Sequence, residues 1–426
     1  MRSIAARACI GLVATGSLVG GILAAGSADA TATVATHWRV TVINPSANPA
    51  SAITAVACPT STWCAAAGWD GSQAPEIGNS ANFALAESRG RWSRPNTFVL
   101  PPDAYPGQQG DVNGIACTAK GSCVAVGDYV TSGTATGPGF IAIEQRGIWQ
   151  LPFLPRLPRN AAAPADSVLN AVTCTGPGSC EAVGSYEIKN GQYLPMSVTE
   201  SSGKWRRATS IELPPHTTPA PINSLNSIAC TSAGSCVAVG RYSTTDGDSY
   251  AAASARQVRG HWLQAAPLKL PAGAGPVSQL TSVSCQPSGQ CVAVGTWISS
   301  DGLIHSMMAT LSHGRLSNVR LLRRIPPGAP YGTLVNLTAV SCARTFCLAA
   351  GAYELRNGTR EWIVIRIKGG AWETATKIGV PAGNPGVIEM APAIDAASCS
   401  KSGACAVVGS FQNESGDLQA LAAISG

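Results

Sequence analysis

The sequence predicts an all-β fold in which seven four-stranded antiparallel sheets are set around one axis. Three observations predict it. A single unit recurs seven times, with first cysteines at Cys58, Cys117, Cys174, Cys230, Cys285, Cys342 and Cys399, a step of 55 to 59 residues. Repetition at such a period makes each copy one supersecondary unit stacked on its neighbours. Within a unit, short apolar runs alternate with Gly, Asn, Asp and Pro turn residues and show no helical periodicity, the pattern of strands joined by hairpins. Finally, the two ends of the chain hold complementary parts of one unit, which closes the set into a ring.

Each strand of the unit, lettered a to d in chain order, has its own warrant. Strand a is the run before the first cysteine, as in Leu169-Asn170-Ala171-Val172-Thr173-Cys174. Strand b starts at the second cysteine and runs through Ala-Val-Gly to an aromatic, as in Cys180-Glu181-Ala182-Val183-Gly184-Ser185-Tyr186. Asn190-Gly191, Asp246-Gly247, Asp301-Gly302 and Asn357-Gly358 come next. These dipeptides favour the tight turn that matches strand twist, so they join b to c. Strand c ends at a Gly-x-Trp turn: Gly90-Arg91-Trp92, Gly147-Ile148-Trp149, Gly203-Lys204-Trp205, Gly260-His261-Trp262 and Gly370-Ala371-Trp372, with Gly314-Arg315-Leu316 as a departure in unit five. Strand d follows, then a Pro-bearing loop such as Leu213-Pro214-Pro215 that leads to the next strand a. The seventh unit reaches Ile424-Ser425-Gly426 where a Trp strand is due, and Thr36-His37-Trp38-Arg39-Val40-Thr41-Val42 supplies one. A strand near residues 37–43 is therefore expected to complete the last sheet, leaving no long open edge.

Compartment follows from the first thirty residues. Arg2 and Arg7 precede an uncharged run from Ile10 to Ala25, and Ala28-Asp29-Ala30 has the small-x-small pattern of a signal-peptidase site. Residues 1–30 read as a signal peptide and 31–426 as one mature domain that is secreted, without a membrane anchor. Removing Cys9 with the leader leaves fourteen cysteines in seven local pairs: Cys58/Cys64, Cys117/Cys123, Cys174/Cys180, Cys230/Cys236, Cys285/Cys291, Cys342/Cys347 and Cys399/Cys405. Facing residues of an antiparallel hairpin are close enough to bridge, and an even count in an exported chain predicts seven structural disulfides. Zinc is the alternative, but no Cys-x2-Cys or nearby His completes a tetrahedral set, so no metal and no cofactor are expected.

On these residues the chain resembles a seven-bladed β-propeller of the Cys-paired repeat type seen in secreted bacterial proteins, and the resemblance covers nearly all of the mature chain. It implies fold and leaves activity open, because propellers host lectins, enzymes, inhibitors and scaffolds alike. The characterised subfamilies do not fit. There is no Trp-Asp repeat ending and no paired-Gly kelch signature, and Thr244-Thr245-Asp246-Gly247 and Ser299-Ser300-Asp301-Gly302 lie in the wrong hairpin for a sialidase turn and lack its Trp. In such a ring the d–a and b–c loops share one face, the top, and the disulfide and Gly-x-Trp turns share the other.

Three sets of residues become candidates. Short polar side chains at the start of strand a, Thr54, Asn113, Asn170, Asn226, Thr281, Thr338 and Asp395, gather at the mouth of the central channel. They could hold water, an ion or a hydroxyl-rich ligand, or simply satisfy backbone groups. The aromatics after Ala-Val-Gly, Trp69, Tyr129, Tyr186, Tyr242, Trp297, Tyr353 and Phe411, could stack on sugars or pack between units. Basic residues of the c–d turns, Arg39, Arg89, Arg91, Arg94, Arg146, Lys204, Arg206, Arg207, Arg256, Arg259, Arg315 and Lys368, form a rim suited to polyanions or an ordinary solvated face, with Glu87, Glu144 and Glu200 nearby.

Catalytic signals are few. None of the five His forms an i, i+4 metal pair, no Gly-x-Ser-x-Gly or phosphate loop occurs, and no cysteine of the mature chain is left unpaired. Carboxylates placed toward the top are Asp70, Asp128, Glu187, Asp246, Asp248, Asp301, Glu354 and Asp395, and a glycosidase needs two of them at a set separation. Charged residues are only 12% of the chain and its net charge is +6, which does not imply nucleic acid. The expected protein is a secreted, monomeric binding or scaffold protein for an extracellular glycan or a protein partner. The alternative is a carbohydrate-active enzyme, glycosidase or lyase, with its site on the top face.

Overall fold

The computed structural model describes residues 37–44, 50–71, 81–105, 110–132, 137–215, 217, 223–244, 249–300, 302–312, 315–322, 335–354, 360–381 and 393–425. The expected signal peptide, and the turns at Asp246-Gly247, Asp301 and Asn357-Gly358, lie outside the described residues. Residues 37–426 form a seven-bladed β-propeller of antiparallel sheets. Blade 1 pairs Ala50–Thr60, Trp63–Gly71, Ala81–Ser88 and Arg91–Trp92 from the axis outward, and blades 2 to 6 repeat that order. The inner strands touch one another in sequence, with blade 7 packing back on blade 1. Blade 7 is completed by the N-terminal strand Trp38–Ile43, which pairs with Leu418–Ser425 in the register Trp38 to Ser425 and Ile43 to Ala420.

Disulfides join Cys58–Cys64, Cys117–Cys123, Cys174–Cys180, Cys230–Cys236, Cys285–Cys291, Cys342–Cys347 and Cys399–Cys405, one per blade. The a–b and c–d turns meet on the same face: Gly147 N donates to Gly121 O at 3.0 Å, Gly203 N to Gly178 O at 3.0 Å and Gly260 N to Gly234 O at 2.9 Å. At the b–c turn of blade 3, Asn190 and Gly191 take φ of 84° and 68°, the left-handed pair that the Asn-Gly dipeptide favours. Seven apolar clusters fill the seven blade–blade interfaces, so each blade buries one face against each neighbour.

One local irregularity recurs in every blade. Opposite the glycine of each Ala-Val-Gly run, or its variant, the inner strand carries an extra residue: in blade 3 Leu169 pairs with Gly184 and Ala171 with Val183, leaving Asn170 unpaired. Thr54, Asn113, Asn226, Thr281, Thr338 and Asp395 are skipped in the same way. These are β-bulges, which bend a strand and re-aim a side chain. Only glycine fits opposite them, since a Cβ on Gly184 would lie 1.8 Å from the carbonyl oxygen of Val168 and one on Gly240 would lie 2.0 Å from that of Ser224. The expected polar ring therefore sits within the inner strands at a bulge, and not at their first residues.

The aromatic set divides. Six members come two residues after the glycine, whereas Trp69 follows Gly68 directly. Side chains alternate faces along a strand, so Trp69 takes the place that Asp128 or Ser185 holds elsewhere. Tyr129, Tyr186, Trp297, Tyr353 and Phe411 are buried in the interface clusters. Packing between blades accounts for Tyr129, Tyr186, Tyr353 and Phe411.

Candidate functional site

The seven bulge residues line one central channel of about 340 Å³. Six of them spend a donor on the next blade. Thr54 Oγ1 donates to Val112 O, Asn113 Nδ2 to Leu169 O at 3.2 Å, and Asn170 Nδ2 to Leu225 O at 2.8 Å. Asn226 Nδ2 donates to Leu280 O at 2.9 Å, Thr281 Oγ1 to Leu337 O at 3.2 Å, and Thr338 Oγ1 to Ile394 O. Each acceptor is the carbonyl just before the next blade's bulge. The bulge thus frees a carbonyl that a neighbour's side chain then satisfies, tying blade to blade. Asp395 is the seventh member and, among the described residues, the only ionisable side chain lining the channel. It is open to the channel's water yet walled by protein, and its thinned hydration pushes its pKa up to about 7.

A second cavity opens on the top face over blades 4 to 7, with a volume of about 250 Å³, and it shares Thr338 with the channel. Its apolar wall includes Trp297, Tyr250, Ile298 and Ile304. Polar groups converge on it from neighbouring elements: Gln279, Thr296, Asn336, Glu354 and Arg360. Arg360 Nε meets Glu354 Oε2 at 3.3 Å, a pair that cancels its own charge. Trp297 is 4% exposed and stacks on His305 at 4.7 Å, and its buried indole N–H has no partner among the described residues. Gln279 accepts a hydrogen bond from Arg241 Nη1 at 3.1 Å, and the Arg241 guanidinium lies 5.0 Å from the Tyr250 ring centre.

Of the expected residues, Trp297, Thr338 and Glu354 line this cavity. Gln279, Asn336, Tyr250 and Arg360 escaped the sequence reading. A signal for two of them was present. Gln279 and Asn336 stand two residues before the bulge, where the other units carry Ala52, Asp111, Val168, Ser224 and Ala393. Aligning the seven units position by position singles out these amides.

Charge on the top face is divided. Asp111 and Asp128 face each other across strands of blade 2. Lost hydration pushes Asp128 up to about 6, the charges of Asp111 and Asp166 add to this, and the Asn113 amide, 2.9 Å away, offsets part of it. Burial also raises Asp111. Asp166 accepts from Gly137 N at 2.6 Å and from the Tyr193 hydroxyl at 3.0 Å, and Glu187 accepts from Asp166 N at 3.2 Å. Asp70 is buried, and Asp246, Asp248 and Asp301 lie outside the described residues. Among the described residues no three His, Cys, Asp or Glu side chains converge as metal ligands.

On the disulfide face, Arg39, Arg89, Arg91, Arg94, Arg146, Lys204, Arg206, Arg207, Arg259 and Lys368 are exposed and Arg256 is half-buried. Arg39 and Arg207 cap the carbonyls of Gly90 and Leu157 at 3.3 and 2.6 Å. Glu87 and Glu200 are buried beneath the rim, where Glu87 accepts the Gly90 N–H. The acids there serve the turns more than they dilute the surface charge.

No family model and no curated protein matches the chain. Among solved structures it is similar to a protein of unknown function from Dyadobacter fermentans, at 12% identity and a TM-score of 0.48, covering 91% of this chain and 98% of that one. It is also similar to AofleA from Arthrobotrys oligospora, at 11% identity and a TM-score of 0.38, covering 91% and 86%. A GH93 α-L-arabinofuranosidase of Fusarium graminearum in complex with arabinobiose is similar at 10% identity and a TM-score of 0.47, covering 77% and 95%. None of these likenesses assigns an activity. Among the described residues no helix is long and apolar enough to cross a membrane, and seven disulfides fit an oxidising compartment.

Proposed function

We propose that this chain is a secreted binding protein that recognises an extracellular glycan through the top-face cavity over blades 4 to 7. The observation that carries the reading is the cavity's mixed lining. An aromatic and aliphatic wall of Trp297, Tyr250, Ile298 and Ile304 stands beside the amides of Gln279 and Asn336 and the hydroxyl of Thr296. Sugars present both faces of that chemistry, C–H patches for the ring and hydroxyls for the polar groups. The rigid disulfide-tied frame supports it, since a preformed pocket loses little entropy on binding. The test is a glycan array probed with the purified protein, its Asn336→Ala variant and its Tyr250→Ala variant. Binding to a defined glycan that falls at least about tenfold in both variants is expected. Binding that neither variant weakens would place recognition elsewhere, with the basic rim as the next candidate if added salt abolishes it. No binding to any glycan would move the reading to a protein partner.

A second reading has its own support. Asp111 and Asp128 are opposed across strands and Asp128 is pushed up to about 6, so the pair combines a ready proton donor with a carboxylate. That is the equipment of a glycoside hydrolase. Release of reducing sugar from a polysaccharide panel, lost in Asp128→Asn, would favour the enzyme. A panel left intact would remove it.

A further inference from the structure

We infer that the ligand of the top-face cavity is a sugar bearing a carboxylate, and that the Arg241 guanidinium at the cavity's edge binds that group. The inference rests on the glycan reading of the same cavity. Arg241 follows the glycine of strand b in blade 4, where the other units carry Trp69, Asp128, Ser185, Thr296, Ala352 and Ser410. It is the single basic residue in that set. Two groups of the cavity wall fix it: Gln279 accepts from its Nη1 at 3.1 Å, and the Tyr250 ring lies under its guanidinium at 5.0 Å. Among the described residues its buried Nε has no hydrogen-bond partner, and no carboxylate pairs with it.

A half-buried guanidinium without a counter-ion is unfavourable unless an anion arrives to meet it. Held in a fixed plane, its remaining N–H groups suit the two oxygens of a carboxylate. The basic residue that lines the cavity, Arg360, is already paired with Glu354 at 3.3 Å. Among the described residues, the guanidinium beside the cavity that no carboxylate pairs is therefore that of Arg241. Among the described residues, Asp111 and Asp166 place negative charge over blades 2 and 3, which turns an anion away from that side. The cavity's amides and aromatic wall take the ring of the sugar, while Arg241 discriminates by charge.

The test is calorimetric titration at pH 6 of the purified protein with a hexuronate oligosaccharide, a sialylated oligosaccharide, and the carboxyl-reduced form of each. Whichever acid binds, the acid is expected to bind roughly 10- to 100-fold more tightly than its reduced form, as suits a charged hydrogen bond. The Arg241→Met variant should lose that preference and Arg241→Lys should recover part of it. Raising sodium chloride from about 0.05 to about 0.5 M should weaken the acid and leave the reduced sugar unchanged, a readout that needs no variant. The acid that binds best identifies the source of the carboxylate. Equal binding of acid and reduced sugar, with both lost in Asn336→Ala, would overturn the role of Arg241 and leave the glycan reading in place. A preference for the acid that survives Arg241→Met with a wild-type melting curve would overturn it too. Binding of no sugar at all would overturn both readings.

Discussion

Asp395 is the one member of the bulge ring whose chemistry breaks the series. Thr and Asn donate to the next blade's carbonyl at six junctions, and the next acceptor in the series is the carbonyl of Ile53 across the seam between blades 7 and 1. An ionised carboxylate has no proton to donate. A neutral one does, and the channel pushes the pKa from its model-peptide value of 3.8 up to about 7. The sign follows from linkage. The unfolded chain ionises freely from about pH 4 upward while the folded chain resists, so the contribution of this group to stability is complete below about pH 4, declines through about pH 7 and is gone above it. Asp395→Asn supplies a permanent donor of the same size. It is expected to raise the melting temperature at pH 8 and to change it little at pH 4. Scanning calorimetry of both proteins at the two pH values is the check, and a variant that melts lower than wild type at pH 8 would refute the role. The sequence shows the polar residue at this place in all seven units. It does not show the bulge, because an extra residue in one strand is defined only by the partner strand's register.

At the scale of the blade interface, Glu181 is a polar exception in a repeated apolar place. The residue after the second cysteine is Ala65, Val124, Val237, Val292, Leu348 or Ala406 in the other units. Glu181 is 4% exposed, and its Oε1 accepts from Thr199 Oγ1 at 3.1 Å, Trp262 Nε1 at 3.2 Å and Gln257 Nε2 at 3.3 Å. Gln257 and Trp262 belong to blade 4, so this carboxylate crosses the interface. The indole N–H groups of Trp38, Trp92, Trp205 and Trp372 have no such acceptor. Burial raises the Glu181 pKa and these donors hold it down. Replacing Glu181 by Val, the residue of three sister units, leaves the Gln257 amide and the Trp262 N–H unpaired. The expected loss is about 1–3 kcal/mol in urea unfolding. Adding Gln257→Leu, which copies the Leu311 of blade 5, should restore a good part of it, because removing both partners of a buried polar contact costs less than removing one. A single variant as stable as wild type would show that the contact is incidental. Strand boundaries, turns and disulfides were legible here because each is a local signal. The partnership of Glu181 with residues more than seventy positions away was not, since only the stacking of blades brings them together.

For the whole molecule the decisive element is the strand that closes the ring. Apolar clusters fill every blade interface, and those on either side of blade 7 include Trp38, Val40 and Ile43 of the N-terminal strand. Arg39 of the same strand reaches across to blade 1, where it caps the Gly90 carbonyl at 3.3 Å. The strand thus completes a sheet, covers two cores and fastens the seam. This much could be read from the sequence, because a unit lacking its Trp strand at one end and a spare Trp strand at the other are complementary only in a closed ring. The top-face cavity could not, because it draws on blades 4 to 7 and no single unit contains its pattern. Repeat assemblies draw their stability from neighbour contacts, and closure gives every blade two neighbours. Deleting residues 31–44 removes the outer strand of blade 7 and exposes Leu418–Ser425 as an open edge. The expected outcome is loss of the cooperative transition in far-ultraviolet circular dichroism, with aggregation on heating. Adding the peptide of residues 31–44 in trans should restore part of the transition, since the deleted strand makes no covalent bond to blade 7 other than through the chain. A deleted protein that melts at the wild-type temperature would mean that the inner strands and their interfaces carry the fold and that the N-terminal strand only decorates it.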